Sequence, residues 1–227
     1  MTVTSRLAVF DVDGTLIDSQ HAIIAAMQEA CRELAVAAPA PEAVRRIIGL
    51  SLVEAVARLL PDLSAERHQS VAQAYKQAFL AERGAARPEP LFPGALEALQ
   101  ALEQAGWLLG IATGKSRRGL ESMLERTGLR GRFMTLQTAD DHPGKPDPAM
   151  LLQAVREAGL RPKDAVMIGD TVYDMAMGRQ AGSGCVGVAW GYHAPEELRE
   201  AGAQVIVESY DKLPAAMASL FEDAACD

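Results

Sequence analysis

Apolar residues recur along this chain in two rhythms. Leu7-Ala8-Val9-Phe10, Leu108-Leu109-Gly110-Ile111-Ala112 and Ala165-Val166-Met167-Ile168 are short unbroken runs. Such runs read as strands buried on both faces. Between them apolar residues return every three or four positions. Leu96, Leu99 and Leu102 share one helical face, and Leu120, Met123 and Leu124 form the stripe of a helix starting at Ser116. Phe133 to Gln137 reads as a shorter strand, Gly182 to Trp190 as another, and Val205 to Val207 as an edge strand. Asp147 to Ala158 reads as a helix with Asp147 at the N-cap and Pro148 in the first turn. From about Pro93 onward this alternation predicts an α/β fold, a doubly wound parallel sheet with helices on both faces. Residues 17 to about 88 break the rhythm. They carry helical patterns only, at Ile23 to Leu34, Pro41 to Ile47, Leu52 to Leu60 and Ala65 to Ala81. Arg87-Pro88-Glu89-Pro90 then reads as a stiff linker. The simplest account is a four-helix insertion after the first strand. Pattern alone leaves open whether it moves or packs permanently on the sheet.

Polar residues crowd the ends of the apolar runs. The first run passes into Asp11-Val12-Asp13-Gly14-Thr15, the second into Thr113-Gly114-Lys115-Ser116, and the third into Gly169-Asp170-Thr171-Val172-Tyr173-Asp174. Gly144-Lys145-Pro146-Asp147-Pro148 lies between the last two. In open α/β sheets ligands bind at the carboxyl ends of strands. Two carboxylates one residue apart repel each other unless a cation or a proton compensates. A hard divalent ion takes oxygen ligands and satisfies them. Taken alone, Asp11 to Thr15 is better read as a strand followed by an Asp-Gly turn, and Gly169-Asp170 can be a helix cap, alone or together with a site role. Asp174 falls one helical turn beyond Asp170, so both can face one site.

In order, spacing and residue type the four segments resemble the signature motifs of the haloacid dehalogenase-like hydrolase superfamily. The resemblance covers nearly the whole chain and points to the phosphoglycolate phosphatase-like branch with a helical cap. It implies a Rossmann-like catalytic core from residues 1–16 and 89–227, with residues 17–88 as a mobile cap domain. It implies a magnesium-dependent phosphatase acting on a small phosphorylated metabolite, phosphoglycolate-like, through an aspartyl-phosphate. Asp11 would be the nucleophile. Asp13 would be general acid and base, and its presence counts against dehalogenation. Mg²⁺ would be held by Asp11, the main-chain carbonyl of Asp13 and Asp170, with Asp174 on bound water or orienting Lys145. Thr113 and the Gly114 amide would hold phosphate oxygens, and Lys145 would add fixed positive charge. Lys115 would join them or be solvated at the helix start. The cap loop Arg45-Arg46-Ile47-Ile48-Gly49-Leu50-Ser51 is the candidate specificity element. There Arg45 or Arg46 would grip a substrate carboxylate, or both are ordinary surface residues. A phosphomutase of the β-phosphoglucomutase type shares all four motifs and is the alternative. A non-catalytic module that binds phosphorylated ligands is the other, opposed by the presence of Asp11, Asp13, Lys145 and Asp170.

Composition narrows the surroundings. At 227 residues the chain could be one large domain or one domain with an insertion, and 49% hydrophobic with 23% charged is ordinary for a globular protein. A net charge of -8 argues against binding nucleic acid or an anionic membrane. It leaves an anionic metabolite open, because a bound cation inverts the local field. Cys31, Cys185 and Cys226 show neither zinc nor disulfide spacing, which fits a reducing compartment. With no signal-peptide pattern and no bilayer-length apolar run, a cytoplasmic enzyme is expected, its assembly left open between monomer and homodimer. Gly182-Ser183-Gly184-Cys185-Val186-Gly187 fits a dinucleotide fingerprint in letters only, since it leads into a strand. Asp140-Asp141-His142 reads as a polar loop, and His21, His68 and His193 lack ligand spacing.

Overall fold

The computed structural model describes residues 5–84 and 89–222. The chain opens with strand β1 (Arg6–Phe10), then runs through α1 (Gln20–Glu33), α2 (Pro41–Arg46), α3 (Leu52–Leu59) and α4 (Ala65–Gly84). It continues as α5 (Ala95–Gln104), β2 (Trp107–Thr113), α6 (Arg117–Arg126), β3 (Thr135–Thr138), α7 (Ala149–Glu157), β4 (Ala165–Gly169), α8 (Val172–Ala181) and β5 (Gly184–Val188). The described chain closes with α9 (Pro195–Ala201), β6 (Val205–Val207) and α10 (Leu213–Glu222). The six strands form one sheet in the order β3-β2-β1-β4-β5-β6, every pair parallel. This is the doubly wound α/β arrangement, with β6 at an edge.

Leu7 to Phe10 are fully buried because each face of β1 meets its own core. Ala8 and Phe10 pack with Leu99 and Leu102 of α5, Leu120 and Met123 of α6, and Leu213 and Met217 of α10. Leu7 and Val9 face the other way, onto Met150, Leu151 and Ala154 of α7 and Met177 of α8. Side chains alternate across a strand, so a run that is apolar throughout needs helices on both sides.

The four helices α1 to α4 build a separate cluster from Ile23, Met27, Val44, Val56, Val71 and Phe79. The two crossings between them and the sheet run side by side. Phe92 donates its amide to Leu16 (2.9 Å) and Asp18 to Pro90 (3.0 Å), with a bridge between Ile17 and Leu91. Arg87 and Pro88 of the expected linker lie outside the described residues, as does Cys226. Cys31 and Cys185 are buried free thiols. Among the described residues no helix is long and apolar enough to cross a membrane.

Two expected helix starts shift. Helix α7 begins at Ala149, not Asp147, but the Asp147 carboxylate accepts from the Ala149 amide at 2.9 Å and still caps it. Helix α8 is capped by Thr171, not Asp170: Thr171 and Asp174 form a reciprocal capping box, which frees Asp170 for other work.

Candidate active site

Strands β2, β1 and β4 are the centre of the sheet. Phe10 pairs with both Ile111 and Ile168, so Asp11, Thr113 and Asp170 emerge at one edge. The Asp11 amide continues the ladder onto the Ile168 carbonyl at 2.9 Å. Asp11, Thr113, Lys145, Asp170 and Asp174 are each at most 1% exposed.

Lys145 reaches this edge from the loop ahead of α7. Its Nζ lies 2.7 Å from Asp11 Oδ1 and 2.6 Å from Asp174 Oδ1. The other Asp174 oxygen accepts from the Thr171 amide (3.0 Å) and hydroxyl (2.6 Å). Asp170 accepts from the Thr15 hydroxyl (2.7 Å) and the Tyr192 amide (2.9 Å). Asp11 Oδ2 is buried and has no hydrogen-bond partner among the described residues. Asp13 turns away from this group. Its Oδ1 accepts from Ser19 Oγ (2.6 Å) and pairs with Lys115 Nζ (2.8 Å).

Crowded buried carboxylates carry an electrostatic cost. Burial, opposed by Lys145 and reinforced by Asp174, raises Asp11 to about 7. Burial with the fields of Asp11 and Asp174 pushes Asp170 upward as well. Burial works against the charge on Lys145, but Asp11 and Asp174 outweigh it and raise Lys145 to about 12. One ammonium therefore compensates three carboxylates incompletely. Asp11, Asp170 and Asp174 each offer an oxygen within 4.8 Å of the others. Three hard donors, residual negative charge and an orphaned buried oxygen fit a small divalent cation.

Above the strand ends lies a cavity of about 610 Å³, shared between the sheet edge and the helical insertion. Asp11, Asp13, Thr113, Gly114 and Lys115 form its floor, and Gly49 with its neighbours reaches it from the loop between α2 and α3. A Cβ on Gly114 would stand 2.5 Å from the Leu50 carbonyl oxygen and 2.7 Å from that of Gly49. Only a glycine admits that loop so close.

Arg45 and Arg46 do not line the cavity. Arg45 donates to Gln20 (2.9 Å) and pairs loosely with Glu42, and Arg46 forms a two-pronged pair with Glu197 at 2.7 Å on each prong. Arg45 thus joins α2 to α1 within the insertion, and Arg46 ties the insertion to α9 of the sheet layer. Lys115 is not solvated at the helix start, since its side chain is 7% exposed and its ammonium lies over the Phe79 ring. Thr15, Ser19 and Tyr192 are site residues that the sequence reading omitted. Ser19 occupies the N-cap position of α1, yet it makes no capping bond and spends its hydroxyl on Asp13.

Comparison with known proteins then decides the lineage. The model of the haloacid dehalogenase-like hydrolase family matches residues 8–188. The chain belongs to that family. A relative 34% identical over 219 residues, covering 95% of both chains, is the "Probable phosphatase IndB" of Dickeya dadantii. Another, 29% identical and covering 93% of this chain and 79% of its own, is "Phosphoglycolate phosphatase 1" of Pseudomonas aeruginosa. A solved structure of a hydrolase from Pseudomonas syringae superposes with a TM-score of 0.82. It is 28% identical and covers 92% of this chain and 96% of its own.

Proposed function

We propose that the chain is a magnesium-dependent phosphatase that hydrolyses a small phosphomonoester through a phosphorylated Asp11. One observation carries this reading: a buried carboxylate oxygen, Asp11 Oδ2, has no hydrogen-bond partner among the described residues and belongs to a residue on the cavity floor. Asp11 attacks phosphorus, the bond to the leaving alcohol breaks, and Asp13 gives that alcohol a proton. Asp13 then takes a proton from water as water releases phosphate from Asp11. Ser19 and Lys115 hold Asp13 by one oxygen and leave the other for proton transfer. Lys145, Thr113 and the Gly114 amide stabilise charge on the transferring group. Asp11, Asp170 and Asp174, with the Asp13 carbonyl, would hold Mg²⁺, which when bound cancels repulsion between carboxylate and phosphate. Residues 17–88 serve as a cap on a core of 1–16 and 89–227, closing to exclude water. Relatives named as phosphatases support the reaction class, and the buried free thiols support a reducing, cytoplasmic setting.

The test is phosphate release from a panel of phosphorylated metabolites, with Mg²⁺ or EDTA, and acid-quenched mass spectrometry of the Asp11 peptide. Release that needs metal, with a phosphoryl group on that peptide, is expected. Isomerised sugar phosphates without free phosphate would turn the reading to a phosphomutase, and turnover that survives EDTA would remove the metal.

A further inference from the structure

The cavity is much larger than a two-carbon phosphate ester. At about 610 Å³ it sits in the middle of the ~300–1,000 Å³ range of pockets that enclose drug-sized ligands. Its upper wall is apolar, built from Ile48, Leu50, Val53, Phe79 and Leu80 among others. Two of the three large hydrophobic side chains that stand exposed among the described residues are in that wall, Val53 at 48% and Leu80 at 44%. Exposed apolar surface concentrated at one opening marks a surface that something covers.

Two cations share the opening. Gln73, Lys76, Gln77 and Leu80 follow the i, i+3, i+4, i+7 spacing of one helical face, and all four line the cavity from α4. Arg118 lines the same cavity from α6, in the first turn after the Thr113-Gly114-Lys115 segment. Lys76 and Arg118 are both exposed, and neither has a carboxylate partner among the described residues. Elsewhere on this acidic chain arginines find carboxylates readily, as Arg32, Arg46, Arg58 and Arg132 do.

The geometry points to a substrate whose leaving group is a bulky, largely apolar skeleton ending in a second anionic group, which Lys76 and Arg118 receive at the mouth while Asp11 meets phosphorus at the floor. This assignment rests on the phosphatase reading and narrows it away from phosphoglycolate. An anion between an ammonium and a guanidinium gains charge-assisted hydrogen bonds. The apolar wall contributes in proportion to the carbon chain it covers.

Hexyl phosphate and 6-phosphonooxyhexanoate form a matched pair that differs by a terminal carboxylate, and phosphoglycolate is the short comparator. The ratio of kcat/KM between the matched esters is expected to be at least about tenfold in favour of the carboxylate, the worth of one charge-assisted hydrogen bond. In a Lys76→Met/Arg118→Met double variant that ratio should fall to about one. An unfolded variant loses both esters together, so the ratio separates a lost subsite from a lost fold. The charge-reversed Arg118→Glu should push the ratio below one. A parental ratio near one, a ratio that survives the double variant, or phosphoglycolate outperforming 6-phosphonooxyhexanoate would overturn the assignment. In each of those results the phosphatase reading stands. Absence of phosphate release from every ester overturns that reading, and the subsite with it.

Discussion

Replacing Asp11 by Asn should stabilise the metal-free protein at neutral pH while it destroys catalysis. The folded state holds the Asp11 carboxyl at about 7, against 3.8 for an ordinary aspartate. At about 1.4 kcal/mol per pKa unit, ionising it inside the fold costs roughly 4 kcal/mol. The direction follows from proton linkage. Between about pH 4 and 7 the folded state binds more protons at this site than the unfolded chain, so this group lowers stability as pH rises. Below that window the penalty is absent, and above it the penalty is complete. Asparagine has the shape of the protonated aspartate and never ionises, and Lys145 keeps Asp174 as its partner. In EDTA at pH 8 the variant should gain up to roughly 4 kcal/mol. If half survives relaxation, Tm rises by roughly 4–8 °C for a chain of this size. At pH 4 the two proteins should melt together. Both keep some slope between, because Asp170 is raised in the same sense. Saturating Mg²⁺ should raise the melting temperature of the parent more than that of the variant, since ligands stabilise only the state that binds them. Thermal and urea unfolding across this pH range, with and without metal, measures all of it. A variant no more stable than its parent at pH 8 in EDTA, or equally favoured at pH 4, would refute the account of the carboxylate cluster.

Asp13→Asn should keep the fold and lower phosphate release by about 10²–10⁴-fold, the usual worth of a positioned acid and base, and parental turnover would remove Asp13 from that role. Gly114→Ala puts a methyl group 2.5 Å from the Leu50 carbonyl oxygen, so the loop must retreat. A misplacement on the order of 1 Å costs about 10²-fold in rate, and kcat/KM at the parental value would show that the loop need not sit there during turnover. Arg46→Ala removes a pair that is 53% and 34% exposed. Exposed pairs are worth about 0–1 kcal/mol, so its melting curve and KM should stay close to the parent, and a large rise in KM would restore Arg46 to the substrate.

The parts of the molecule visible in the sequence were those set by local chemistry. Leu7 to Phe10 announce a two-sided strand because no polar residue interrupts them. Asp11, Thr113 and Asp170 could be grouped because each follows such a run, and parallel strands bring their ends together. What stayed hidden depends on partners remote in sequence. Arg45 and Arg46 read equally as anion ligands or as ordinary surface residues until Gln20 and Glu197 are placed beside them. Lys115 could bind phosphate or be solvated, and solvation is excluded only once Phe79, from the insertion, lies beneath it. Gly169-Asp170-Thr171 offers two residues able to cap one helix. The choice of Thr171 follows from Thr15 and Tyr192, which engage the Asp170 carboxylate and come from far away along the chain.

The close approach of the Gly49 and Leu50 carbonyls to Gly114 bears on how such proteins can be recombined. A seam made of main chain on one side and a missing side chain on the other stores its specification in neither half alone. A helical insertion grafted from a relative onto this sheet would bring its own loop path, and Gly114 would no longer guarantee clearance. The reverse graft fails where the recipient carries any larger residue at that position. Chimeras should therefore be cut so that the 45–51 loop and the 113–116 turn travel together, even though they belong to different layers of the molecule. A donor insertion transferred without its matching turn should fold and dock poorly, and one transferred with it should seat.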